Sequence, residues 1–164
     1  MEGLITIEQL TNIHSKQIID LIIPIQQIEF NVPVTLNDQP DLLDIESYYI
    51  KPGGNFWGAI QNGEVIGTIA LINTGHSACA IRKMFVKKEF RGKGFNIAQR
   101  LLEELLAFCY ANKIQDVYLG TVEVLKAAQR FYERNGFNKI AVDALPEYFP
   151  RMAADDVFYH LKIR

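Results

Sequence analysis

Cysteine and histidine are scarce in this chain of 164 residues. The two cysteines, Cys79 and Cys109, are too few for a disulfide framework, and neither stands in the sequence context of a nucleophile or a metal ligand. We therefore expect both to be buried core thiols in a reducing compartment. The three histidines show no ligand spacing with each other or with the cysteines, so no metal site is predicted.

Long apolar runs and an excess of charge of one sign are also missing. No stretch approaches the ~20 apolar residues that a helix needs to span a bilayer. The start of the chain, with Glu2, lacks the basic and apolar segments of a signal peptide. The net charge of −2 gives no general attraction to nucleic acid or to anionic membranes. These absences predict a cytoplasmic protein that binds neither nucleic acid nor membrane.

The remaining composition is that of a folded globular protein. Hydrophobic residues make up 49% of the chain and charged residues 22%. A chain of this length can bury a sizeable core, and no repeat, low-complexity tract or long linker divides it. We therefore expect one domain over residues 1–164.

Hydrophobic periodicity predicts the elements of the first third of the chain. A strand is followed by a helix, a proline-containing loop and a second, short helix. Pro24 falls inside the first helix and should kink or break it, because proline cannot donate the hydrogen bond of a helix interior. The expected bounds are 4–10, 12 or 15 to 30, 31–41 and 42–50.

The middle of the chain carries the clearest β pattern. Asn62-Gly63 is a strong hairpin signal between two apolar runs, and a third strand follows the next turn. A helix then leads to a short apolar strand, which the crossover should place parallel to the third strand. The expected strands are 56–60, 65–72, 79–86 and 117–121, with a helix at about 124–135 and a terminal antiparallel pair at 137–142 and 156–162.

A glycine-rich turn, Arg91 to Asn96, lies between the third strand and the helix that follows it. The first N–H groups of a helix have no intrahelical partners, so such a turn can bind a phosphate or diphosphate. Gly92 and Gly94 allow close approach to the backbone, and Arg91 and Lys93 add positive charge. A plain helix-initiating turn would explain the same residues. The Walker A pattern and the three-glycine dinucleotide pattern are both absent.

Two motifs in this order resemble those of the GNAT family, the GCN5-related N-acetyltransferases. Arg91, Gly94 and Asn96 fall on the positions of the family's acyl-CoA-binding motif, whose last position is otherwise Gly or Ala. Ala128 and Tyr132, followed by Gly136-Phe137, resemble the second signature of the family. Leu125 stands where the family usually has Asn, which predicts one polar contact fewer to the pantetheine arm.

The resemblance implies an α/β (α+β) fold and a cofactor site. The expected fold is a GNAT-like mixed, mostly antiparallel sheet of about seven strands, with helices on both faces and a splay between the central parallel pair. Acetyl-CoA would be the co-substrate, and Tyr132 would be the general acid that protonates the departing thiolate. The residues implied in cofactor binding are Met84, Phe85, Val86, Arg91, Gly92, Lys93, Gly94, Phe95, Asn96 and Ala128.

The implied reaction is direct transfer of an acetyl group to an amine of a small molecule, an amino acid or a peptide. The general base is not determined by the sequence; Glu29 and Glu123 are possible, although a surface charge is the favoured interpretation of each. A non-catalytic module that binds or senses acyl-CoA is the alternative on the same fold. Binding of single-stranded RNA through Arg91 and Lys93 fits poorly with the mild net acidity. A monomer and a homodimer are both compatible with the sequence.

Overall fold

Seven strands form one sheet in the computed structural model, which describes residues 3–92 and 94–163. Along the chain the strands are β1 (Thr6–Gln9), β2 (Asn55–Gln61), β3 (Glu64–Gly75), β4 (Ala78–Val86), β5 (Asp116–Thr121), β6 (Asn138–Ile140) and β7 (Val157–Lys162). Their order across the sheet is β1-β2-β3-β4-β5-β7-β6. All neighbours are antiparallel except β4 and β5, which are parallel as the sequence predicted.

The helices are α1 (Ser15–Pro24), α2 (Ile97–Ala111) and α3 (Lys126–Arg134). The predicted break at Pro24 is confirmed, because α1 ends at this residue and a single π-helical turn, Ile25–Glu29, continues the chain. None of the helices in residues 3–92 and 94–163 is long and apolar enough to cross a membrane.

The predicted short helix at 42–50 is wrong. The structure has a 3₁₀ turn, Pro40–Leu43, and a π-helical turn, Glu46–Ile50, separated by Ile45 and by Asp44, whose backbone is not helical. The Asp44 carboxylate accepts hydrogen bonds from the Ser47 amide, at 3.2 Å, and from the Asn12 side chain, at 3.0 Å. A short acidic side chain that binds nearby amides competes with helical hydrogen bonding, so the segment breaks into two turns.

Core residues lie on both faces of the sheet. On one face, apolar side chains of α2 and α3 pack against the inner strands, with Leu101, Leu105 and Tyr132 among them. On the other face, α1 and the two turns that follow it cover the sheet through residues such as Ile18 and Ile22. Both cysteines are completely buried, which confirms their prediction as core thiols. The fold therefore has the predicted helices on both faces of a mixed sheet.

The parallel strands β4 and β5 are hydrogen-bonded at one end and separate towards the other. Residues 78–81 of β4 pair with residues 116–119 of β5, and pairing ends there although β4 continues to Val86. At the same level β4 carries a β-bulge, where Lys83 and Met84 oppose the single residue Ile69 of β3. Lys83 has a φ of 55°, and the Thr68 hydroxyl donates to its carbonyl at 2.7 Å. The predicted splay is thus confirmed, and a bulge marks the point where it begins.

Candidate active site

A cleft opens where β4 and β5 separate. Its walls come from the free half of β4, the end of β5 with the turn after it, α3, the segment after α1, and the connection between β6 and β7. The lining residues are Gln26, Phe30, Val32, Val34, Gln39, Ile81, Arg82, Lys83, Met84, Phe85, Gly120, Thr121, Val122, Leu125, Ala128, Tyr132, Met152, Ala154 and Asp155. Most are apolar, and the few polar groups are concentrated around the β4 bulge and residue 155.

Lys83 is a buried cation in this cleft that the sequence analysis did not identify. Its ammonium group donates to the Gln39 side-chain oxygen and lies 3.6 Å from a carboxylate oxygen of Asp41. The Tyr49 hydroxyl donates to the same Asp41 oxygen at 2.5 Å. Burial lowers the pKa of Lys83 to about 8, and the charge of Asp41 opposes this shift. The adjacent charges of Arg82 and Lys83 inside a mostly apolar strand were the one sequence signal that could have indicated it.

Tyr132 lies inside the cleft on the face of α3 that meets the sheet. Only 4% of its surface is exposed, and its ring packs against Phe131, Phe137 and Tyr159 at centroid distances of 5.6, 5.6 and 6.1 Å. Burial, and then the negative charge of Asp155, raise the pKa of the Tyr132 hydroxyl well above its ordinary value. The hydroxyl is therefore protonated at neutral pH.

The connection between β6 and β7 supplies Asp155 to the cleft and holds Arg82. Burial raises the pKa of the Asp155 carboxyl group, while the Arg82 guanidinium opposes that shift. Arg82 donates to the Pro150 carbonyl at 3.3 Å and to the Met152 sulfur at 2.6 Å. Within the described parts of the chain, no carboxylate lies at ion-pair distance from Arg82, and no cation lies at that distance from Asp155. Sequence reasoning missed Asp155 because the connection has no periodic pattern, and it missed Arg82 because nothing in the predicted strand marked this residue as functional.

The glycine turn leads from β4 into α2, and its surface is open. Gly92 has a φ of +108°, and a Cβ added to Gly92 or Gly94 would meet no atom within 4 Å. Asn96, with a φ of 52°, is the residue immediately before α2, and its side chain does not cap the first amides of the helix. The Phe95 and Asn96 amides make only long hydrogen bonds, of 3.4 and 3.3 Å, to the Gly92 carbonyl. An uncovered turn at an uncapped helix start fits a diphosphate group.

The Acetyltransferase (GNAT) family model matches residues 19–137, which is most of the chain. This chain belongs to the GNAT acetyltransferase family. A solved acetyltransferase of the GNAT family from Staphylococcus aureus Mu50 is 37% identical, with a TM-score of 0.95 over 98% of this chain and 100% of that one. An acetyltransferase from Streptococcus agalactiae 2603 is 30% identical, with a TM-score of 0.92 over 97% of this chain and 98% of its own. The predicted family and fold are confirmed.

A curated relative extends the comparison beyond the solved structures. The N-acetylaspartate synthetase of Danio rerio is 39% identical over 102 residues, which are 61% of this chain. The same alignment covers 36% of the synthetase, so the chain spans little more than a third of that GNAT relative's length.

The GNAT motif residues divide between two places in the structure. Met84, Phe85, Ala128 and Tyr132 line the cleft, and so does Leu125 at the position where the family usually has Asn. The side chain of Val86 instead packs against the core cluster under α2. The turn residues Arg91, Gly92, Gly94, Phe95 and Asn96 lie beyond the cleft lining, and Lys93 is outside the described residues.

Arg91, the first residue of the GNAT motif, is held by protein groups. Its guanidinium forms a two-pronged ion pair with Glu29, one prong measuring 2.8 Å, and its Nε donates to the Val86 carbonyl at 2.8 Å. The hydrogen bond from Arg91 lowers the pKa of Glu29. The positive charge that the sequence placed at the rim of the turn is therefore balanced by a carboxylate from the segment after α1.

Neither glutamate considered as the general base lines the GNAT cleft. Glu29 is occupied by Arg91, and Glu123 is a surface residue that pairs with Lys126. The hydrogen bond from Lys126 lowers the pKa of Glu123. Across residues 3–92 and 94–163, no cluster of three or more His, Cys, Asp or Glu side chains could hold a metal ion.

Proposed function

We propose that this chain, acting as one domain over residues 1–164, transfers the acetyl group of acetyl-CoA directly to an amine. The acceptor belongs to the small molecules, amino acids or peptides that carry a free amine. The observation that carries the proposal is the parted β4–β5 pair, because it leaves a strand edge free inside a cleft that also contains the Tyr132 hydroxyl. Membership of the acetyltransferase family supports the same reaction.

The donor site follows from the free edge of β4 and the glycine turn. Beyond Ile81, β4 has no strand partner on its β5 side, so main-chain groups near Met84, Phe85 and Val86 can bond the amides of a pantetheine arm. The open turn over Gly92 and Gly94 and the first amides of α2 would hold the diphosphate. Ala128 and Leu125 would contact the arm through apolar surface, since both line the same cleft.

The chemistry requires a neutral amine and a protonated leaving group. A free alkylamine has a pKa of ~10.4, so at neutral pH most amine molecules are protonated and must lose a proton before they can attack the thioester. Holding amine and thioester in attack geometry supplies much of the rate, and proton transfer supplies more. Tyr132 would protonate the departing thiolate, since it lines the cleft in which the sulfur would lie.

The acceptor end of the cleft favours an amine that also carries an acidic group. Arg82 is a cation there, and its hydrogen bonds go to a carbonyl and a thioether, which are weaker partners than a carboxylate. The similarity to N-acetylaspartate synthetases agrees with such an acceptor. Aspartate and glutamate are therefore the first acceptors to test.

The decisive experiment combines binding with turnover. Titration calorimetry should show that the protein binds acetyl-CoA, and a panel of amino acids, polyamines and short peptides should reveal an amine that triggers release of free CoA. Failure to bind any acyl-CoA would refute the proposal. Binding without release of CoA by any amine would instead favour the non-catalytic module. A cytoplasmic location, the lack of nucleic-acid and membrane binding, and the monomeric or dimeric state stay predictions from the sequence.

A further inference from the structure

We propose that Asp155 is the general base that accepts a proton from the acceptor amine, an inference that rests on the proposed function. The connection between β6 and β7 brings this carboxylate into the cleft that contains Tyr132. A base and an acid would then reach the reacting centre from different elements, one from the loop before β7 and the other from α3.

The position of Asp155 is defined by Gly120, near the end of β5. A Cβ added to Gly120 would lie 2.5 Å from a carboxylate oxygen of Asp155, so the carboxylate rests directly on the glycine backbone. Gly120 lies one residue beyond Leu119, the last β5 residue paired with β4, and it also lines the cleft. The carboxylate is therefore held at the level where the two strands separate.

The other candidate bases are occupied or remote. Asp155 is the one carboxylate among the described residues that line the cleft. The Lys83 nitrogen also lies there, but it is directed towards Gln39 and Asp41, whose oxygens stabilise its charged form. The Asp155 carboxylate has no ion pair in the described parts of the chain, and a hydrogen bond from the Met152 main chain leaves its other lone pairs to a ligand.

The charges around Asp155 suit a base. Burial raises the pKa of its carboxyl group, which strengthens its affinity for a proton. The positive charges of Arg82 and Lys83 on β4 oppose this rise in pKa, and the negative charge of Asp156 in the same segment adds to it. Tyr132 on α3 faces the carboxylate as a neutral hydroxyl. These cations favour the ionised form, which is the form that can accept a proton.

The proton and bond changes balance as follows. Asp155 takes one proton from the ammonium form of the acceptor and passes it to solvent. The neutral nitrogen then bonds to the thioester carbonyl carbon as the carbon–sulfur bond breaks. Tyr132 gives its hydroxyl proton to the departing sulfur, and the second proton lost by nitrogen restores the Tyr132 hydroxyl through solvent. The products are the N-acetylated amine, free CoA and one proton.

The test compares Asp155→Asn with wild type using two nucleophiles and acetyl-CoA. The first is the amine that gives the highest rate in the acceptor panel, and the second is hydroxylamine, whose nitrogen is already uncharged at neutral pH. We expect kcat/KM for the amine to fall about 100-fold or more, with little change for hydroxylamine and for acetyl-CoA affinity. Asp143→Asn is the matched control, because it removes an exposed carboxylate from the same connection, and it should keep both rates.

A second variant, Gly120→Ala, tests the position of the carboxylate without removing it. The added methyl group must displace the Asp155 side chain, so we expect a smaller loss that is again selective for the amine. Equal losses for both nucleophiles in Asp155→Asn, or unchanged turnover of the amine, would overturn the inference. A wild-type protein that binds no acetyl-CoA and acetylates neither nucleophile would refute the proposed function instead.

Discussion

The buried ammonium group of Lys83 makes stability depend on pH in an unusual direction. Burial lowers its pKa from 10.5 in the unfolded chain to about 8 in the folded protein. Between these values the unfolded chain binds more protons than the folded one, so raising the pH stabilises the fold. A shift of about 2.5 pH units corresponds to about 3 kcal/mol at ~1.4 kcal/mol per unit.

Urea unfolding followed by circular dichroism, at pH values from 7 to 10, would measure this dependence. Wild type is compared with Lys83→Met, because the contributions of all other titrating groups to the free energy of unfolding largely cancel when the two proteins are subtracted. The free energy of unfolding of wild type, relative to the variant, should increase from pH 8 upwards and approach a gain of about 3 kcal/mol near pH 10. Lys88→Met, at an exposed position, should follow wild type throughout. A difference that stays flat, or falls as pH rises, would refute the reasoning.

Three further predictions concern the cofactor turn, the acid and the thiols. Gly94→Asp should abolish acetyl-CoA binding in calorimetry without loss of thermal stability, because the added side chain enters open space where the diphosphate would lie; Asn138→Asp, which adds the same charge on exposed β6, should bind normally. Tyr132→Phe should lower kcat by about 100-fold or more while acetyl-CoA affinity is retained, and an unchanged kcat would remove Tyr132 from the mechanism. Cys79 and Cys109 should resist Ellman's reagent in the native protein and react on unfolding, and rapid native labelling would contradict their burial.

Residues that belong to a motif of neighbouring positions could be predicted from the sequence. The turn around Gly92 and Gly94 follows a strand and precedes a helix, and Tyr132 stands at a fixed distance before Gly136-Phe137. The resemblance of this spacing to the GNAT signature implied that Tyr132 faces the cofactor, and the structure has this residue in the lining of the cleft. The parallel pairing of β4 and β5 could be predicted because a helix crossover connects the two strands.

Residues whose role depends on distant contacts could not be predicted. Asp155 reaches the cleft through an irregular connection, and its place is set by Gly120, which lies far from it in sequence. Glu29 was a reasonable candidate base, yet it pairs with Arg91, 62 residues away. Lys83 reads as one more strand residue until the bulge gives it a left-handed backbone conformation and directs it towards Asp41.

Because of the bulge in β4, the number of residues in this strand is constrained more strongly than their identity. Side chains of a strand alternate between the two faces of a sheet, and the extra residue at Lys83 and Met84 reverses that alternation for the rest of the strand. Deleting one residue there would remove the bulge, and with it the left-handed conformation that directs Lys83 towards Asp41, although Phe85 and Val86 would keep Thr68 and Gly67 as their β3 partners. Homologues should therefore tolerate substitutions between the Asn62-Gly63 hairpin and the glycine turn far more readily than single-residue insertions or deletions.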